Sequence, residues 1–444
     1  MGIRTSVNHP ASSRANLRLV RLGVDVPLLL TLFTLIVFGL LILYSASWDF
    51  SRAITENKDP NYIFNRQLLW LLLGLSGAIV CMFINYRWWE KLALPAMAVT
   101  IITLIVVLAI AEVRLGAARS ISGGSYQPSE LAKLITVIYL SVWLFAKRDY
   151  INQLGFGLIP MGLILGIVGG LIYAQPDVSA VLTVVVLGAL MFFLAGGDLR
   201  QILIVVLVTL MVGWFVVMAN DTGRARVASY WVGVQDPTAA PYHVQRSLEA
   251  FVKGGWFGAG IGKADTKHTG LPVPPTDSIF AVIGEETGVI GSFFTLGLYT
   301  LLLWRGMEIA RRAPDLLGAL LAGGLSLWVA MEAYINMAVI LGLIPFAGNA
   351  LPFVSSGGSS LVSSLIAMGI VMNVSRVSER EAREANTRTS DVIDFQKRRD
   401  DRPPRWAASI PASKPVGEFK EKQIKSPMAK RDPKARRIKR AGKS

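Results

Sequence analysis

Ten stretches of this 444-residue chain are apolar over about the 20 residues a helix needs to cross a lipid bilayer. They are 26–47, 67–85, 92–112, 129–146, 156–173, 178–196, 200–219, 279–304, 316–343 and 359–375. Hydrocarbon offers no partner to an unpaired peptide N–H or C=O, so such segments fold as helices. The expected fold is an all-α integral membrane protein of about ten transmembrane helices. Composition agrees, with 52% hydrophobic and 17% charged residues, where a soluble chain is about a quarter charged. The first stretch is too long for a signal-peptide core, and no small-residue cleavage pattern follows it.

Ten spans put both termini on one side, and Lys and Arg in the short connections choose which. Arg87 and Lys91, Lys147 and Arg148, Arg200, and Arg305, Arg311 and Arg312 fall on the same side as Arg4, Arg14, Arg18 and Arg21. Connections 174–177 and 344–358 carry no Lys or Arg, whereas Arg52, Lys58, Arg66, Arg114 and Arg119 run against the trend. Both termini are therefore expected in the cytoplasm. The domains follow as a cytoplasmic tail 1–24, a ten-helix membrane domain 25–376, and a cytoplasmic tail 377–444. A large extracellular loop, 220–278, separates spans seven and eight. Its Gly-rich run 253–262 and proline run 271–275 forbid a simple helix, and a structured loop of this length carries function or covers a site.

The formal charge of +15 is unevenly placed, with 21 Lys and Arg against 10 Asp and Glu from Arg376 to Ser444. A globally basic nucleic-acid binder is thereby excluded. Beyond Ser378 the composition reads as a disordered tail close to anionic lipid headgroups. The single cysteine, Cys81, excludes an intrachain disulfide, and His9, His243 and His268 lack metal-ligand spacing.

Ionisable groups in apolar spans cost at least about 2.5 kcal/mol each and need a cause. Gln127-Pro-Ser-Glu-Leu-Ala-Lys133 opens the fourth span, where Glu130 and Lys133 share a helix face. They read either as an internal ion pair or, through Lys133 with Arg114 and Arg119, as part of an anion site. Asp277 stands at the mouth of the eighth span, with Gly284, Gly288 and Gly291 within about 40° of its direction on a helix. That stripe would let another backbone pack closely beneath the carboxylate. Asp277 alone reads well as an N-cap, but Glu285 and Glu286, about 12–13 Å further in, point to a polar outer cavity. Gln175-Pro-Asp177 reads best as a turn with Asp177 capping the next helix. Residues 345–360 read as a Gly-rich re-entrant segment or as a plain loop.

Four ordered segments, QPSELAK (127–133), QPD (175–177), TDSIFAVIGEETGVIG (276–291) and GLIPFAGNALPFVSSGGSSL (342–361), resemble the SEDS family, the FtsW/RodA/SpoVE group of bacterial cell-wall glycosyltransferases. The run 242–263 is similar too, and the resemblance spans about 25–376. It implies a multi-pass protein of the bacterial cytoplasmic membrane that polymerises lipid II into glycan strands on the outer membrane face. It implies Asp277 as the essential catalytic residue, read here as general base. Arg119, Gln127, Ser129, Glu130, Lys133, Lys267, Ser356, Gly357, Gly358 and Ser359 would line the substrate cavity, with Glu285, Glu286 and Asp177 as supporting carboxylates. A divalent cation, Mg or Mn with unassigned ligands, and a class B penicillin-binding protein within a division or elongation complex are the implied cofactor and partner. Lys267 and the long tail look more like FtsW, the run 351–354 somewhat more like RodA. The chain departs from the family pattern at Ser120, Val273, Pro275 and Ser356. A lipid II flippase or transporter, or a divisome scaffold, are the alternatives from other classes.

Overall fold

The computed structural model describes residues 23–110, 127–175, 177–219, 221–345 and 348–400. Among these there is no strand. The α-helices are α1 (Val26–Ile54), α2 (Tyr62–Phe83), α3 (Trp89–Ile110), α4 (Pro128–Ala146), α5 (Ile159–Ala174), α6 (Val178–Leu194), α7 (Leu199–Ala219), α8 (Asp221–Gln235), α9 (Tyr242–Gly254), α10 (Ile279–Arg312), α11 (Leu316–Ile340) and α12 (Gly358–Asp400). Each of the ten apolar stretches overlaps a separate helix. Among the described residues, seven helices are long and apolar enough to cross a membrane, namely α1 to α4 and α10 to α12. The apolar helices α5 and α6 are shorter, and α7 is followed by α8 across a bend of 102°.

Burial sorts these helices. Three quarters or more of the apolar windows of α11 and α12 are buried, and two thirds of that of α4, but only 11% of that of α2. Small residues explain the inner set. Gly318, Gly323, Gly324 and Ser326 line α11, which packs on α10, α4 and α6. Peripheral helices instead expose large apolar side chains, such as Leu30 and Phe33 on α1 and Leu69 and Leu72 on α2. That surface is stable only against lipid.

Ion pairs mark one end of the helices. There Arg305 pairs with Asp25 at 2.5 Å, and Arg87 bridges Asp315 at 3.0 Å and Glu381 at 3.1 Å. The other end holds Asp277 and the four motif segments.

Two expectations change. The first compact unit of the chain closes at Ala385, yet helix continues to Asp400 where disorder was expected from 379. Pairs four residues apart account for its start, Arg380 with Glu384 at 3.0 Å and Glu379 with Arg383 at 3.1 Å. The α10 helix is also not continuous. Gly288 sits at φ 69°, ψ −167° and breaks it, because the loop after α9 is inserted there.

Candidate active site

Asp277 lies one residue ahead of Ser278, the N-cap of α10. The residue is partly exposed. The backbone around it is fixed from several sides. Its carbonyl accepts from Asn336 Nδ2 at 3.0 Å, and the same amide donates to the Asn349 carbonyl at 2.5 Å. Ser355 Oγ donates to the Thr276 carbonyl and the Ser356 N–H to the Pro275 carbonyl, each at 2.7 Å. Ser278 Oγ donates to the Pro272 carbonyl and lies 2.8 Å from His243 Nε2. With the hydroxyl proton so placed, Nε2 is the donor. Burial pushes the His243 pKa down to about 4, so the ring is neutral near pH 7. Val273, in the proline-rich approach, holds φ 42°, a strained value for a β-branched residue.

The re-entrant segment supplies the floor. Leu351 to Ser355 are buried though not helical. Side chains satisfy two of their carbonyls: Tyr299 Oη donates to Pro352, and Gln67 Nε2 to Ser355 at 3.1 Å. This is irregular backbone enclosed by protein, the condition for its survival at membrane depth, and not a plain loop. Gly348 belongs to it, and a Cβ there would stand 2.8 Å from Asp277 Oδ2. A side chain at 348 would therefore crowd that carboxylate oxygen. Gly358 begins α12 against Trp70, where a Cβ would come within 2.5 Å of the indole, while the Gly357 carbonyl accepts the first helical bond from Leu361.

A second centre lies at the start of α4. Lys133 Nζ contacts Glu130 Oε1 at 2.8 Å and also Glu332 Oε1. All three residues are buried. Glu332 was not apparent among the sequence candidates, although a lone Glu within an apolar stretch is itself a signal. The anion-site reading of Lys133 is displaced here, since two carboxylates already share its ammonium. Beside this centre, Gln127 Nε2 and Ser129 Oγ donate to Asp177 Oδ2 at 3.1 and 3.2 Å. The other oxygen of Asp177 caps α6 through the Ala180 N–H, as the turn reading expected. The Gln127 N–H donates to Ser359 Oγ at 3.2 Å, joining α4, α6 and α12. Arg119 and Ser120 lie outside the described residues.

A third group replaces the expected polar cavity below Asp277. Glu285 accepts from the Asp265 N–H at 2.8 Å and from Thr266 through both its N–H and its hydroxyl. Glu286 receives Lys267 Nζ at 2.9 Å and Ser45 Oγ at 2.5 Å. Both glutamates are 1% exposed. They anchor the loop after α9 to α10 and α1, and are closed off from solvent by it. Loop and helix also pair through the main chain. The Ala259 and Gly260 N–H groups reach the carbonyls of Glu285 and Glu286, and those of Val289 and Ile290 reach Gly255 and Trp256, at 2.9–3.3 Å. Gly284 and Gly288 do admit close packing, against Phe251 and against Trp256 and Gly258. Gly291 does not, for its nearest neighbour is Thr287 of its own helix. At the loop surface Lys253 donates to Asp265 at 2.8 Å, which holds that carboxyl below its usual range.

Among the described residues, no three or more His, Cys, Asp or Glu side chains gather closely enough to hold a metal ion. The donors present thus do not form a preformed cation cage.

The model of the FtsW/RodA/SpoVE family, cell cycle proteins, matches residues 26–380. This chain belongs to that family. Within it, a probable peptidoglycan glycosyltransferase FtsW of Trichlorobacter lovleyi is 39% identical over 356 residues, 79% of this chain and 93% of that protein. Stage V sporulation protein E of Bacillus subtilis is 35% identical over 364 residues, 80% of this chain and 97% of that one. Among solved structures, a chain from a peptidoglycan synthase complex that coordinates polymerization and crosslinking superposes with TM-score 0.65 at 26% identity, covering 80% of this chain and 98% of that one. The rod shape determining protein RodA of Thermus thermophilus gives 0.58 at 27%, covering 80% and 97%. All four motif segments fall inside the matched FtsW/RodA/SpoVE range.

Proposed function

We propose that this chain is a peptidoglycan glycosyltransferase that polymerises lipid II at the outer face of the bacterial cytoplasmic membrane, with Asp277 as general base. The observation that carries the reading is the placement of Asp277. It is a partly exposed carboxylate at the head of α10, on a peptide held by Asn336, Ser355 and Ser356. It also stands in a chain whose FtsW relatives are named peptidoglycan glycosyltransferases.

In the transfer, a hydroxyl of the acceptor sugar forms a new bond to the anomeric carbon of the donor. The bond from that carbon to the undecaprenyl pyrophosphate breaks with its electron pair, and the hydroxyl proton passes to Asp277. Pyrophosphate is a good leaving group, so no second carboxylic acid is needed, unlike the paired carboxylates of glycosidases. The rigid peptide around Asp277 supports the required alignment, since geometry of this kind governs rate. The expected Mg or Mn ion has no cage among the described residues, and no step here runs through it.

The arrangement in the cell follows the same reading. Ten spans over 25–376 place both termini in the cytoplasm and 220–278 outside. The basic residues beyond Arg376 then face the anionic inner leaflet. A class B penicillin-binding protein is the partner that supplies crosslinking. FtsW-named relatives at 35–39% identity favour a division role, which midcell localisation of a fluorescent fusion tests. The catalytic test is Asp277→Asn, shown to insert normally and assayed for polymer length on purified lipid II. Polymerisation at the wild-type rate refutes the base assignment, and movement of labelled lipid II across vesicles without polymer refutes the enzyme reading.

A further inference from the structure

Glu332 and Asn336 stand one turn apart on α11, 2% and 1% exposed, inside a stretch that crosses a membrane well without them. Polar groups buried there persist only for a reason, and the contacts are specific: Glu332 holds Lys133, while Asn336 acts through its amide nitrogen and leaves Oδ1 without a partner among the described residues. Asn336 uses its two amide protons on two different segments, the Asp277 carbonyl at 3.0 Å and the Asn349 carbonyl at 2.5 Å. One segment carries the catalytic carboxylate. The other carries Gly348, where an added Cβ would stand 2.8 Å from Asp277 Oδ2. A single side chain therefore sets the spacing between that carboxylate and the backbone beneath it. One turn earlier, Glu332 ties α11 to α4 through Lys133, which fixes the height from which Asn336 acts.

We propose that Asn336 is a positioning residue for the glycosyl transfer, and that Glu332 sets the register of α11 from which it works. The proposal rests on Asp277 being the general base. Its chemical content is that Asn336 serves as a double donor, not as a space-filler. Misplacement of a catalytic group by about 1 Å costs up to about 100-fold in rate, so the loss belongs in kcat and leaves lipid II affinity nearly untouched.

The experiment uses the purified full-length chain with lipid II, measuring kcat and KM from pH 6 to pH 8.5 for Asn336→Ala, Asn336→Asp, Glu332→Gln and Asp277→Asn. Insertion and monodispersity are checked for each. Asn336→Asp keeps the shape but loses both donors when ionised and regains one O–H donor when protonated. Both Asn336 variants are expected to lose roughly tenfold or more in kcat with KM within about twofold. Activity of Asn336→Asp relative to wild type should rise as pH falls, whereas that of Asn336→Ala stays flat. Glu332→Gln should show a smaller loss, again in kcat.

A normal kcat for Asn336→Ala beside an inactive Asp277→Asn overturns the positioning role alone. A flat pH ratio for Asn336→Asp overturns the donor role. Failure of both Asn336 variants to insert assigns the residue to folding instead. An active Asp277→Asn removes the base assignment and this proposal with it.

Discussion

Lys267 was expected among the substrate contacts, and the geometry assigns it elsewhere, so it offers a sharp test. Its side chain is 5% exposed and pairs with Glu286, itself fully buried, at 2.9 Å. Ser45 completes the triangle, with its hydroxyl 2.8 Å from the ammonium and 2.5 Å from the carboxylate. Lys267→Met leaves Glu286 as an unpaired buried charge, and Glu286→Gln leaves Lys267 in the same position. Breaking a buried pair from one side costs about 3–5 kcal/mol, most of it the desolvation of the abandoned partner. Removing both charges avoids that penalty, so the double variant should recover most of the loss, with a coupling energy of at least about 2 kcal/mol. The assay has two parts: thermal denaturation of detergent-solubilised protein, and polymer formation from lipid II. If Lys267 is an anchor, Lys267→Met/Glu286→Gln regains both stability and activity over either single variant. A double variant that is as stable as wild type yet inactive shows that Lys267 meets the substrate, and refutes the reasoning.

The remaining predictions concern the same loop. Gly258 holds φ 81°, and a Cβ there would stand 2.2 Å from the Glu286 carbonyl oxygen. Gly258→Ala should therefore cost clearly more than the roughly 1–2 kcal/mol of left-handed strain alone. Gly262 at φ 84° has open space around it, so Gly262→Ala should show the strain alone; equal denaturation midpoints for the two would contradict the close packing. His243 has its pKa held at about 4, below the ordinary value of about 6.5. An unfolded segment takes up a proton in that interval that the folded one does not. The contribution of the buried ring is thus present above pH 6.5 and is lost as pH falls from 6.5 towards 4. The protection factors of amides 241–254, exchange rates corrected for the intrinsic pH dependence, should be lower at pH 5 than at pH 7.5 in the wild type, with a smaller difference in His243→Phe; equal protection factors at both pH values in the wild type would count against it.

The bundle was legible because hydrophobic length is a local property. Each of the ten stretches can be read without its neighbours, and each overlaps its own helix. The site was legible only where its chemistry is also local. Asp177 was readable as a cap and Glu130 with Lys133 as a pair because each partner lies within a turn. What escaped was every interaction made across the bundle. Glu332 reaches Lys133 from 199 residues away, and Asn336 looks like an ordinary polar residue until α11 is placed beside Asp277. Glu285 and Glu286 were rightly marked as costly, but their partners sit in a glycine-rich loop whose course no periodicity predicts. Spacing along a helix likewise could not foresee that Gly288 interrupts that helix.

The interruption at Gly288 has a mechanical meaning. Four main-chain hydrogen bonds fasten residues 255–260 across the opened turn of α10, and the first two turns of that helix carry Asp277 at their head. Backbone pairing of this kind is indifferent to most side chains, so the coupling survives drift in the loop's sequence wherever its glycines remain. The loop and the upper part of α10 form a single lever. Displacing the loop therefore displaces the helix turns that follow Asp277, through backbone as well as side chains.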